Sequence, residues 1–198
     1  MSDNTIVLEE PFQPLLSAAA NEYFETLLTP DSIVCEYGAG KGTVWLAQRV
    51  KKVITIEHDL IWFHAVKSAL DKLNLEPDLR LISLETEGSL SLAEEKYTTF
   101  LLQFPDDYFD IIYLDGWRPS RIMAPSHAKS KVKPLGWIVV DNLEWHPVDA
   151  GVKLAGIDQW NMKRFQGEVI GFIPGVSLGP GICHTGFYQR PEITNGEA

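Results

Sequence analysis

Ile33-Val34-Cys35-Glu36-Tyr37-Gly38-Ala39-Gly40-Lys41-Gly42 opens the stretch that decides the fold, and Val53-Ile54-Thr55-Ile56-Glu57 closes it. A short apolar run stops at a cluster of glycines, Thr43 to Val50 has helical spacing, and a second apolar run stops at an acid. That is strand, turn, helix, strand. Two strands joined through a helix lie parallel, because parallel neighbours need a crossover connection, and near-continuous apolar strands suit a sheet covered on both faces.

Working outward, Pro11 to Leu28 carries apolar residues at three-to-four spacing and predicts a helix that Pro30 stops. Downstream, Leu60 to Leu73 reads as helix, Leu79 to Leu84 as strand, Ser89 to Phe100 as a weaker helix, and Phe109 to Leu114 as a strand ending in Asp115-Gly116. Ser120 to Val132 reads as helix, and Gly136 to Val140 as a strand ending in Asp141-Asn142. Ile157 to Arg164 then reads as a short helix. Glu168 to Pro174 and Gly181 to Gln189 read as two strands joined by a Gly/Pro-rich loop, hence a hairpin at a sheet edge. The alternation predicts an α/β protein with a doubly wound, mostly parallel, seven-stranded Rossmann-like sheet. A C-terminal antiparallel hairpin completes the sheet, and helices lie on both faces. With no internal repeat or linker, the chain reads as one domain over 1–198, an N-terminal helical segment (1–28) preceding the core (31–190).

Composition narrows the function. The 198 residues hold 17 basic and 27 acidic side chains, a net charge of −10, which is the wrong sign for gripping a polyphosphate backbone. Nucleic acid is therefore not expected as a partner. Hydrophobic content of 45% is ordinary for a globular chain, and no apolar run approaches the roughly 20 residues that span a bilayer, so no membrane partner is expected either. The first residues, Met1 to Glu10, carry no secretory pattern, and Cys35 and Cys183 form no metal or redox spacing. A cytoplasmic protein is the expectation, with its oligomeric state open, a homodimer included.

The glycine turn falls at the carboxyl end of the first strand, where doubly wound sheets bind ligands. Glycines let the backbone approach a ligand closely, and the following helix offers unpaired N–H groups. Glu57 ends the second strand, where a carboxylate accepts both hydroxyls of a ribose. Together these features indicate a nucleoside. The dinucleotide fingerprint needs glycine where Thr43 stands, and a phosphate-binding P-loop needs glycine at Cys35 and a hydroxyl at Gly42. Tyr37 and Lys41 match a reductase spacing but lie in a turn rather than on a helix, and no serine sits in a nucleophile elbow.

The remaining pattern, acid-x-Gly-x-Gly-x-Gly with an acid closing the next strand, resembles motif I of the class I S-adenosylmethionine-dependent methyltransferases. Asp110 to Gly116 is similar to that family's fourth strand, and Lys133 to Val140 to its proline-glycine entry into the fifth. The resemblance covers 31–190 and implies S-adenosylmethionine as the cofactor. It implies that Glu36 binds the methionine end while Gly38, Gly40 and Gly42 pack beneath it. Glu57 would take the ribose hydroxyls, His58 would lie by the adenine, Glu85 or Thr86 would reach the adenine edge, and Asp115 would be a further contact. A bland alternative stands beside each: acids that cap helices or line a solvated loop. A small branch of the superfamily with similar "EYG", "VEHD" and "DG" motifs also fits, matched here by Glu36-Tyr37-Gly38, Ile56-Glu57-His58-Asp59 and Asp115-Gly116.

Asp115, Asp141 and Asn142 also resemble the magnesium-holding loops of catechol-type O-methyltransferases, oxygen ligands that suit that ion. A strand-closing aspartate and an Asp-Asn turn explain the same residues without metal. The catalytic lysine of those enzymes is replaced by Arg118, which stays protonated and cannot serve as a base. His146, Asp115 and Asp141 are the candidates for a base, although methyl transfer from a sulfonium leans mainly on positioning. Arg118 and Arg121, just after the fourth strand, are candidates for holding an anionic small-molecule substrate, with Trp117 as a pocket wall. Lys129, Lys131 and Lys133 fall at the far end of the same helix. The expected activity is methyl transfer to an oxygen or nitrogen of a small polar or anionic molecule; the alternative is a non-catalytic nucleoside-binding or scaffold protein on the same fold.

Overall fold

The computed structural model describes residues 6–84, 90–169, 172–173, 176–177 and 181–192. In chain order they form α1 (Ala18–Leu27), β1 (Ile33–Tyr37), α2 (Lys41–Ala47), β2 (Lys52–Glu57), α3 (Leu60–Leu73), β3 (Asp78–Leu81) and α4 (Leu90–Thr98). There follow β4 (Phe109–Leu114), α5 (Arg118–Lys131), β5 (Val132–Val140), α6 (His146–Ala155), β6 (Asn161–Val169), β7 (Phe172–Ile173), β8 (Val176–Ser177) and β9 (Gly181–Gln189). Seven strands make one sheet in the order β3-β2-β1-β4-β5-β9-β6. Its first five strands are parallel, and β9 runs antiparallel between β5 and β6. The strand order reverses between β1 and β4, which makes their carboxyl ends the switch point where such sheets bind ligands. Among the described residues no helix is long and apolar enough to cross a membrane.

Strand alternation sorts the core into two layers. Cys35, Tyr37, Ile54, Ile56, Ile112, Leu114, Ile138 and Val140 face α4, α5 and α6. Val34, Val53, Ile111, Tyr113, Val139 and Phe187 face α1 and α2, joined by Leu16, Phe24 and Trp45. The same alternation puts Glu36 and Thr55 on the α1–α2 side, directly paired across β1 and β2, with Tyr113 opposite Glu36 on β4. Ahead of α1, Leu8 and Phe12 pack against Ala39, Val44, Val66, Ala69 and Leu70, so the N-terminal segment lies over the glycine turn.

Several boundaries differ from the sequence reading. The first helix begins at Ala18 rather than near Pro11, because Ser17 caps it and Asn21 Nδ2 donates to the carbonyls of Pro14 and Leu16, holding that stretch non-helical. The predicted helix over Ile157 to Arg164 is a single 3₁₀ turn, Ile157–Gln159, followed directly by β6. Nine register pairs with β9 outweigh the local helical spacing there. α6 was not foreseen. Pro147 opens it, left-handed Gly156 closes it, and Gly151 lets it press so closely on the backbone of Ile122 in α5 that a methyl group would overlap. Most of the loop between the predicted hairpin strands lies outside the described residues.

At the switch point Gly38 has φ +88°, and a Cβ there would stand 2.6 Å from the Cα of Gly116. The turns after β1 and β4 therefore touch back to back. Gly38→Ala adds both left-handed strain and a backbone clash, and should lower stability by about 2–4 kcal/mol in urea denaturation. A loss under about 0.5 kcal/mol would show that the two turns are not held together at this point.

Candidate active site at the carboxyl edge of the sheet

Glu36, one residue before the end of β1, is almost without exposure, and the hydroxyls of Thr43 (2.7 Å) and Thr55 (2.8 Å) both donate to its Oε2. Oε1 turns toward Gly42, where a Cβ would come within 2.9 Å of it. Burial pushes its carboxyl up to about 8, the threonine hydroxyls acting against the shift and the charges of Asp115 and Glu57 adding to it. A Cβ on Gly40 would meet nothing within 4 Å, so the turn is open at its centre. Pro14 closes one side, within 3.6 Å of the same Gly42 position.

Glu57 closes β2 and reaches into two turns at once. Ala39 N–H donates to Oε2 at 2.6 Å, and the N–H groups of His58 and Asp59 donate to Oε1, each at 2.7 Å. The carboxylate thus ties the glycine turn to the start of α3, with one of its roughly four lone-pair positions left over. His58 Nδ1 lies 2.8 Å from Oε1 without the alignment of a hydrogen bond. The imidazole packs edge-to-face on Tyr97, which also meets Tyr37 and Trp117 in the same way. Trp117 is half-buried in this aromatic group. Glu85 and Thr86 lie outside the described residues.

Across the switch point, Asp115 follows β4. Tyr113 donates its hydroxyl to Oδ2 at 3.0 Å, and Arg121 Nη2 lies 3.0 Å from Oδ1. Burial raises the Asp115 carboxyl well above the usual range, against the opposing pull of Arg121. Arg121, expected to face a substrate, is instead buried. Its Nε donates to Gly116 O at 2.9 Å, and its terminal nitrogens donate to Asp115 O and to Asn142 Oδ1. Asp141 is also buried and accepts from Cys183 Sγ (2.9 Å) and Thr185 Oγ1 (2.8 Å) through Oδ1.

The trio expected to hold magnesium does not form a ligand set. The amide oxygen of Asn142 is taken by a guanidinium, its Nδ2 donates to Glu144 Oε1 at 2.9 Å, and Asp115 is paired with the same guanidinium. Among the described residues no three His, Cys, Asp or Glu side chains gather as cation ligands.

On the rim, Arg118 is exposed and lies 4.5 Å over the ring of Trp145. His146 is exposed at the start of α6. Lys131 and Lys133 pair with Asp106 and Asp110, and Lys129 donates to Ala155 O, so these lysines are structural. Thr43, Thr55, Tyr97, Cys183 and Thr185 were missed by the sequence reading. The threonines were within reach: one sits in the first turn of α2 directly after the glycines, the other at the strand position beside Glu36. Cys183 and Thr185 arrive only through the long-range pairing of β9.

No family model and no curated protein matches the chain. Solved structures do match. An O-methyltransferase from Bacillus cereus in complex with SAH is 16% identical with a TM-score of 0.58, over 87% of this chain and 82% of that one. An rRNA methylase from Streptococcus thermophilus is 13% identical with a TM-score of 0.59, over 93% and 99%. A precorrin-6y C5,15-methyltransferase from Geobacter metallireducens is 11% identical with a TM-score of 0.60, over 94% and 96%. The chain has the fold of the class I S-adenosylmethionine-dependent methyltransferases.

The buried Glu36 has a measurable consequence. Its folded pKa lies above its unfolded one, so the folded state holds an extra proton, and stability falls as pH rises from about 4.5 to about 8. Glu36→Gln removes this slope. Its melting temperature relative to wild type should be near zero at about pH 5 and rise to a plateau above about pH 8. Parallel melting profiles across that range would show that Glu36 is ionised throughout.

Proposed function

We propose that the protein transfers the methyl group of S-adenosylmethionine to an oxygen or nitrogen of a small, polar or anionic molecule. The observation that carries this is the Glu36 carboxyl, buried beneath an open glycine turn with one oxygen aimed at the turn and, among the described residues, no cation paired with it. A ligand bringing positive charge there would relieve the cost of ionising it. S-adenosylmethionine bears an ammonium and a sulfonium, and when bound it supplies a methyl group on positive sulfur with a neutral leaving group.

The chain's own residues then divide the work. Glu36 would bind the ammonium, and the open Gly40 backbone would let the ligand lie against the turn. Glu57 would receive ribose hydroxyls, in part by exchanging them for amides it now holds, while His58 and the Tyr97 edge would flank the adenine. Asp115 stands at the switch point with its carboxyl shifted up toward neutrality, so it is the best-placed group to accept a proton from an attacking oxygen or nitrogen. Asp141, already bonded to a thiol and a hydroxyl, would serve positioning, and His146 would meet only a substrate on the rim.

With Arg121 turned inward, Arg118 over Trp145 is the exposed cation left to meet an anionic acceptor, and Trp117 adds a wall. A small molecule is favoured over RNA by the net charge of −10 and by the pairing of the lysines on α5 and β5.

Calorimetric titration with S-adenosylmethionine and S-adenosylhomocysteine tests this directly. Micromolar binding is expected, weakened about tenfold or more by Glu57→Ala. No heat with either ligand from folded protein would overturn the proposal. Binding without turnover on any small acceptor would favour a non-catalytic nucleoside-binding protein.

A further inference from the structure

Asp115 and Asp141, two of the acids at this edge of the sheet, already have a cation beside them, and it belongs to the chain. Arg121 sits in the first turn of α5, where the helix dipole disfavours positive charge. It is nonetheless buried there, and the fork of its guanidinium is engaged on several sides. Nε–H goes to the carbonyl of Gly116, one terminal nitrogen to Asn142 Oδ1, and the other to the carbonyl of Asp115, with the Asp115 carboxylate 3.0 Å away. Asn142 holds a left-handed backbone, φ +58°, while its amide bridges Arg121 and Glu144. Asp141, the next residue back, also feels the Arg121 charge.

We propose that Arg121 is a resident cation, fixed where Asp115, Asn142 and Asp141 converge, and that it replaces a divalent metal ion at that point. Two things follow. The guanidinium bonds residues after β4 to a residue after β5, so it is a positioning residue that sets the spacing of the two turns flanking the acceptor side of the site. It also excludes a second cation from the cluster, because the oxygens a metal would need are occupied and like charges a few ångströms apart repel strongly away from bulk water. The placement and its metal-binding consequence are independent of the methyl-transfer reading; only the role of the two turns rests on it.

The test is a titration with Mn²⁺, used because it binds oxygen ligands and broadens nearby NMR signals. Wild-type protein should show no saturable Mn²⁺ site near Asp115 and Asn142 and no rise in melting temperature with millimolar Mn²⁺ or Mg²⁺. Arg121→Ala should open the cluster and bind Mn²⁺ about tenfold or more tightly than wild type, with a matching rise in melting temperature. The double variant Arg121→Ala, Asp115→Asn should lose that gain. A merely structural arginine would lower stability without creating a cation site.

Saturable Mn²⁺ binding at Asp115 in the wild type, or a folded Arg121→Ala protein with no gain, would overturn the proposal. Should Arg121→Ala not fold, the wild-type titration decides, together with Arg121→Lys, which keeps the charge and should still refuse Mn²⁺. Titration with S-adenosylmethionine on the same samples reports separately on the methyl-transfer reading.

Discussion

Four carboxylates gather at one edge of this sheet, and the way each is kept there governs the rest of the site. Glu36 lies one residue before the end of β1 and Glu57 ends the neighbouring parallel β2; Asp115 and Asp141 follow β4 and β5. An isolated buried carboxylate is too costly to persist, so each has its own form of relief. Glu57 accepts three backbone amides, Asp141 a thiol and a hydroxyl, and Asp115 a tyrosine hydroxyl and a guanidinium. Glu36 has two threonine hydroxyls on a single oxygen and is otherwise accommodated by holding its proton. Under the proposed function, it is the acid of the four whose environment a bound ligand completes.

The backbone around these acids is close enough for that arrangement only because glycine stands at Gly38 and Gly116, where the turns after β1 and β4 meet without side chains between them. The tyrosine hydroxyl of Tyr97 fills the space a methyl group on Gly116 would need. Packing and chemistry meet at this contact: it joins the two halves of the doubly wound sheet and brings the glycine turn within the field of Asp115.

Much of this was legible in the sequence. α3, β4 and β9 have the bounds that their apolar runs predict, and the glycine turn with Glu36 falls at the carboxyl end of the first strand of the sheet, as the sequence pattern predicts. What could not be read depended on contacts distant in the chain. β6 has helical spacing and becomes a strand because β9 pairs with it. α6 rests on a close approach to α5 that only the fold brings about. Arg118 and Arg121 sit three residues apart and look equivalent, yet one stacks on Trp145 at the rim and the other is drawn inward by oxygens from two loops. For the same reason Asp115, Asp141 and Asn142, which resemble a metal site as a string of letters, prove to surround an arginine.

If Glu36 receives the positive charge of a bound ligand, its carboxyl must give up a proton on binding, and that proton can be counted. Calorimetry with S-adenosylmethionine near pH 7, repeated in buffers of different ionisation enthalpy, should show release of about one proton as the Glu36 carboxyl ionises against the incoming charge. Glu36→Gln should abolish that release. Binding with no proton released, or release unchanged in Glu36→Gln, would show that Glu36 does not receive the charge of the ligand.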